Sequence, residues 1–208
     1  MVQVKICGLM EKEHVEAAVS TGVDFIGFVF APSKRRVTVE EAQSLAKLIP
    51  NPIQKVGVFV NESYENMIEI AKRVPLDVIQ LHGQEPPELV ERLADYTVVK
   101  AISVRTAADI ERASQYQQAD YFLFDAPGTD FEGGSGHTFD WSLVEQTGID
   151  RSRTILAGGL HAGNITKAIE QLQPFAVDVS SGVETNGRKD SDKITKFIKN
   201  AKSGVNSL

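Results

Sequence analysis

The sequence predicts one α/β domain over residues 1–208, its parallel sheet closed into a (β/α)8 barrel. Short β-branched and aromatic runs recur eight times, and amphipathic stretches with helical spacing lie between them. Strand alternating with helix makes a parallel sheet, and eight strands close a barrel whose interior side chains can fill. The last two runs end in glycine-containing turns, and barrels bind phosphate in their last two loops. An open doubly wound sheet shares the alternation, but a dinucleotide fold wants Gly-x-Gly-x-x-Gly after its first strand. Only Cys7-Gly8-Leu9 stands there.

The strands are expected near 2–7, 24–30, 55–60, 78–82, 97–102, 121–125, 154–157 and 176–180. Helical spacing covers Glu11–Thr21, Val39–Ile49, Ser63–Val74, Pro86–Ala94, Thr106–Tyr116, Gly163–Gln171 and Ser191–Ala201. The sixth unit departs from this pattern. Pro127 to Phe139 replaces a short connection, leaving a brief helix around Trp141–Gln146, and long loops inside compact domains are usually functional. Gly133, Gly134, Ser135 and Gly136 within it suit a flap over a bound phosphosugar.

Composition narrows the function. A hydrophobic share of 42% with 24% charged residues is a soluble globular balance. The longest apolar run, Phe25 to Pro32, falls far short of the roughly 18 residues that span a bilayer, and charges run through residues 1–20. A cytoplasmic protein without membrane partners is expected. The net charge of −6 argues against nucleic acid, and Lys34-Arg35-Arg36 is too short to make a basic face. No His or Cys pair has metal-ligand spacing, so no metal is expected. Apolar helix faces suit core and interface alike, leaving monomer and homodimer both open.

The single cysteine, Cys7, ends the first strand, where parallel barrels keep their chemistry. Side chains alternate along a strand, so Lys5 shares its inward face. Lys5 either lowers the thiol's pKa, enlarging the thiolate fraction, or pairs with a buried carboxylate. The sixth strand, Tyr121-Phe122-Leu123-Phe124-Asp125, is apolar until its final carboxylate. Kept from water, Asp125 should hold a proton to donate, which makes it the general-acid candidate; capping the turn at Pro127 is its plain structural alternative. Gln80 and His82 share one face of strand four and are placed to touch a polar ligand. Gly158 and Gly159 after strand seven, with Ser180, Ser181 and Gly182 after strand eight, offer bare N–H groups to a phosphate. Asp178 either reaches a sugar hydroxyl or balances Lys5. Ser33-Lys34-Arg35-Arg36 after strand two offers a guanidinium to a carboxylate.

Several blocks occur together in one order: Lys5-Ile6-Cys7-Gly8, Gln80-Leu81-His82-Gly83, Gly133-Gly134-Ser135-Gly136 with Thr138-Phe139-Asp140-Trp141, Gly158-Gly159-Leu160, and Asp178-Val179-Ser180-Ser181-Gly182-Val183-Glu184. In that combination the chain resembles the phosphoribosylanthranilate isomerases of tryptophan biosynthesis from its first strand to its last helix. The resemblance implies a TIM barrel, a small phosphoribosyl substrate, no cofactor, and an Amadori rearrangement. The product would be 1-(2-carboxyphenylamino)-1-deoxyribulose 5-phosphate. It also implies Cys7 as general base, Asp125 as general acid, and Arg35, or Arg36 beside it, as partner of the anthranilate carboxylate. A histidine-pathway phosphosugar isomerase on the same barrel is the nearest alternative, but that family resembles a two-aspartate design. A non-catalytic phosphosugar-binding barrel would need no acid and base.

Overall fold

The computed structural model describes residues 1–126 and 141–203. Eight parallel strands form a closed barrel in sequence order. They are β1 (Gln3–Cys7), β2 (Phe25–Val29), β3 (Gln54–Phe59), β4 (Val78–Leu81), β5 (Thr97–Ser103), β6 (Tyr121–Asp125), β7 (Thr154–Leu156) and β8 (Ala176–Val179). The outer layer is α1 (Lys12–Thr21), α2 (Val39–Ala46), α3 (Tyr64–Arg73), α4 (Pro87–Arg92), α5 (Ala107–Glu111), α6 (Ser142–Gln146), α7 (Ile165–Leu172) and α8 (Ser191–Ser203). The fifth helix is shorter than its spacing predicts: it tightens after Glu111 into a 3₁₀ turn over Arg112–Gln115. A small antiparallel hairpin, β9 (Glu184–Thr185) and β10 (Arg188–Lys189), follows the barrel and was not anticipated.

Strand alternation sorts the side chains into two cores. Val4, Ile6, Ile26, Phe28, Val98 and Ile102 face the helices. Val56, Val78, Val99, Ala101, Leu123, Ile155 and Ala176 fill the barrel. Its floor is plugged by aromatics, with Tyr121 stacked on Phe175 at 4.3 Å between ring centres and Phe25 edge-on to Phe175 at 6.4 Å. The lower end is therefore closed, and Cys7, His82 and Asp125 stand at the opposite, C-terminal ends of their strands.

A repeated device fixes the strand starts. Asp24, Asp77 and Asp120 each precede an even-numbered strand and each accept a backbone N–H from the strand before it: Val4 at 2.8 Å, Lys55 at 2.8 Å and Val98 at 2.7 Å. A one-residue slip would turn each inward row outward, so bonds that pin these strand starts also keep the site residues facing in.

Above β4 and β5, Lys100 Nζ donates to the Gly83 carbonyl at 2.7 Å and to Glu85 at 2.8 Å, while Glu85 accepts the N–H groups of Asn61 and Gly83. The two charged side chains are 3% and 1% exposed, so removing one strands the other away from water. Lys100→Met is expected to cost about 3 kcal/mol, read as a lower urea midpoint at unchanged slope.

Candidate active site

β1 and β8 meet at the barrel seam, where Lys5 stands opposite Asp178 and Lys5 Nζ lies 3.0 Å from Asp178 Oδ1. Two residues further along the same faces come Cys7 and Ser180, and the Ser180 hydroxyl donates to the Cys7 carbonyl at 3.2 Å. The thiol is buried and stands beside Gly27 of β2. Across the mouth, Asp125 ends β6 with its carboxylate 3.7 Å from His82 Nε2. Gln80 Nε2 lies 2.9 Å from His82 Nδ1. With Gln80 donating there, the neutral ring carries its proton on Nε2, toward Asp125. Gln80 Oε1 is buried without a hydrogen-bond partner among the described residues.

Burial governs the titration of this chamber. It pushes Asp125 up to about 7, with the negative charge of Asp178 adding to the effect. It pushes His82 down to about 4, helped by Lys5. The thiol runs against the sequence expectation: burial raises Cys7 and outweighs the lowering by Lys5. Lys5 itself is raised, because Asp178 and Cys7 together outweigh the cost of its burial. Both sequence readings of Lys5 therefore apply, since it pairs with Asp178 and also faces the thiol.

The phosphate candidates come together. Gly158 and Gly159 follow β7 with φ of +79° and +65°, a region that costs an L side chain and suits glycine. A Cβ on Gly182 would run into the Leu160 carbonyl oxygen, so the loops after β7 and β8 touch only because that Cβ is missing. Asn164 Nδ2 holds the Gly159 carbonyl at 3.0 Å. Ser181–Val183 forms a single 3₁₀ turn.

Arg35 and Arg36 separate clearly. Arg36 is exposed, whereas Arg35 is buried with its stem over Gly8. The Arg35 guanidinium presents one edge to Glu184, Nε at 2.6 Å from Oε1 and one Nη at 3.2 Å from Oε2. Gly133, Gly134, Ser135 and Gly136 lie outside the described residues. Sequence reasoning missed the roles of Glu184 and Lys189. The available signal was Asn186-Gly187, a dipeptide that turns hairpins and sets those two residues opposite one another. A groove of about 650 Å³ on the outer wall, lined by Ile110, Phe122 and Ile149 among others, contains none of these residues.

Comparison with known proteins points to one family. The profile of the N-(5'-phosphoribosyl)anthranilate (PRA) isomerase family matches residues 4–200. An N-(5'-phosphoribosyl)anthranilate isomerase of Listeria monocytogenes is 52% identical over 199 residues, 96% of this chain and 98% of the relative. The crystal structure of the Thermotoga maritima phosphoribosyl anthranilate isomerase superposes with a TM-score of 0.90 at 45% identity, over 98% of this chain and 100% of that one. A phosphoribosyl anthranilate isomerase in complex with reduced 1-(o-carboxyphenylamino)-1-deoxyribulose 5-phosphate gives 0.86 at 42% identity, with the same coverage.

The raised carboxyl carries a stability consequence. The fold binds the Asp125 proton more tightly than the unfolded chain does. Its contribution is therefore whole below about pH 4 and is lost as pH rises through about 7. Asp125→Asn cannot ionise, so the variant should be more stable than the parent at pH 8, by about 2 kcal/mol after allowance for solvent. Urea unfolding at pH 8 and pH 4 checks this; the gain should vanish at the lower pH.

Proposed function

The chain belongs to the N-(5'-phosphoribosyl)anthranilate isomerase family and is an enzyme of tryptophan biosynthesis; we propose that Cys7 is its general base and Asp125 its general acid. The observation that carries this is the facing of a buried thiol on β1 by a carboxyl on β6 that titrates near 7. An acid of that pKa keeps its proton for donation at neutral pH and still gives it up readily.

The protonated Asp125 donates to the furanose ring oxygen. The C1′–O bond breaks toward that oxygen, while the anilino nitrogen's lone pair forms a C1′=N iminium. Cys7, having released its own proton to solvent as the iminium forms, takes the C2′ proton as a thiolate. The C–H electron pair becomes a C1′=C2′ bond, and the iminium electrons return to nitrogen, giving an enolamine. Ketonisation moves one proton to C1′ and removes one from the C2′ hydroxyl, leaving the ketone. Protons alone are exchanged, so the isomerisation balances without a redox partner or cofactor.

The remaining residues fit the ends of the substrate. Backbone N–H groups around Gly158, Gly159 and Ser180–Gly182, with the Ser180 and Ser181 hydroxyls, take the phosphate. Arg35, the buried member of its pair, takes the anthranilate carboxylate, in the fork geometry that guanidinium offers. Asp178 and the Gln80–His82 pair face the sugar hydroxyls. A base that works as a thiolate needs a reducing compartment, which supports the cytoplasm. No helix among the described residues is long and apolar enough to cross a membrane.

Cys7→Ala and Asp125→Asn should each lower kcat by about 10²–10⁴-fold. Loss of anthranilate fluorescence on freshly made N-(5-phosphoribosyl)anthranilate is the readout, and full activity in either variant would remove that residue from its role. Alkylation of the single thiol by iodoacetamide should show a midpoint above that of free cysteine, moving further up in Lys5→Met.

A further inference from the structure

Beside the phosphate loop lies a charged cluster that the acid–base chemistry does not use. Glu184 leaves the 3₁₀ turn after β8, and its side chain is only 6% exposed. Arg35 grips it from the loop after β2, at 2.6 and 3.2 Å. Lys189, opposite it across the β9–β10 hairpin, lies 3.0 Å from Oε1 and is 2% exposed. The same ammonium donates to the Ser180 carbonyl at 2.8 Å and to the Ser180 hydroxyl at 3.1 Å, and that hydroxyl donates to the Cys7 carbonyl. Lys34 stands 3.9 Å from the far oxygen of Glu184. A continuous chain of short contacts thus runs Ser180–Lys189–Glu184–Arg35. It joins two loops separated by more than a hundred residues of sequence.

Two buried cations, Arg35 and Lys189, hold the Glu184 carboxylate, and removing Glu184 or Lys189 would break buried charge-assisted contacts that tie the two loops together. A shift of Ser180 on phosphate binding moves the acceptors of Lys189, hence Glu184, hence the plane of the Arg35 fork. We propose that Glu184 and Lys189 are positioning residues that couple the phosphate loop to Arg35, so that binding at the phosphate end orients the guanidinium for the carboxylate at the other. The proposal rests on the assignment of Arg35 and of the phosphate loop given above. It adds that the two ends are thermodynamically linked, each improving the other's affinity by the same factor.

Inorganic phosphate and anthranilate, used as separate inhibitors of turnover and then together, measure that factor. In the parent enzyme each should inhibit alone, and saturating phosphate should tighten anthranilate inhibition by about fivefold. Failure of either to inhibit alone would overturn the underlying site assignment; inhibition by each without mutual effect would overturn the coupling alone. Lys189→Met keeps the Arg35–Glu184 pair but cuts the link to Ser180. It should still bind anthranilate with the parent's affinity in the absence of phosphate, yet show a coupling factor near one. Glu184→Gln should lose the coupling as well, with a raised KM. A Lys189→Met enzyme that folds, by circular dichroism, and retains the full factor would show that the cluster is only structural.

Discussion

The ion pair between Lys5 and Asp178 sits on the seam where the first strand meets the last, and the site is laid out from it. Barrel closure makes β1 and β8 neighbours, and the register that places Lys5 opposite Asp178 leaves only one arrangement for the residues beyond them. Cys7 and Ser180 follow two places on along the same inward faces. The candidate base and the candidate phosphate loop are therefore adjacent because the chain ends are adjacent, and the Ser180 hydroxyl on the Cys7 carbonyl seals that relation. A pair this deeply buried gives little net stability over apolar replacements. Its importance lies in the register and in the charge it sets beneath the thiol.

The same enclosure that makes the barrel stable makes its mouth reactive. Aromatic rings close the floor and aliphatic residues fill the middle, so the barrel opens only at the top, where His82 and Asp125 keep 35% and 31% of their side-chain surface exposed. Burial then becomes the largest influence on Cys7, Asp125 and His82 alike. It moves each toward its neutral form. His82, neutral and with Nε2 3.7 Å from the Asp125 carboxylate, is no counter-ion for it, which leaves burial and the negative charge of Asp178 to hold that carboxyl up to about 7.

Much of this was legible in the sequence. Strand periodicity gave the eight units, and alternation within them put Lys5 and Cys7 on one inward face and Gln80 with His82 on one face of strand four, while Asp125 was singled out as the carboxylate ending an apolar strand. The raised pKa of Asp125 followed from four apolar neighbours preceding it in β6. The sign of the thiol's shift did not, because it depends on the balance between desolvation and a cation, and a linear pattern gives proximity without giving depth. Lys5 pulls the thiol down, as its spacing suggests, but the depth of burial wins. Glu184 and Lys189 were hidden for another reason: their partners, Arg35 and Ser180, belong to other loops, and only barrel closure brings these together.

Raised pKa values on both the base and the acid look opposed to catalysis until the charges are followed. At neutral pH the thiol is protonated, and below about pH 7 so is the carboxyl, with Lys5 and Asp178 cancelling one another. Donation from Asp125 leaves a carboxylate and creates a cationic iminium, so the chamber stays neutral overall. The iminium places a positive charge beside C2′, on the side that Cys7 must approach. Together with Lys5 it stabilises a thiolate that burial disfavours, and it acidifies the C2′ proton at the same moment. The acid step thus prepares the electrostatics of the base step. A thiol left protonated in the resting enzyme is also protected from oxidation and alkylation until substrate arrives.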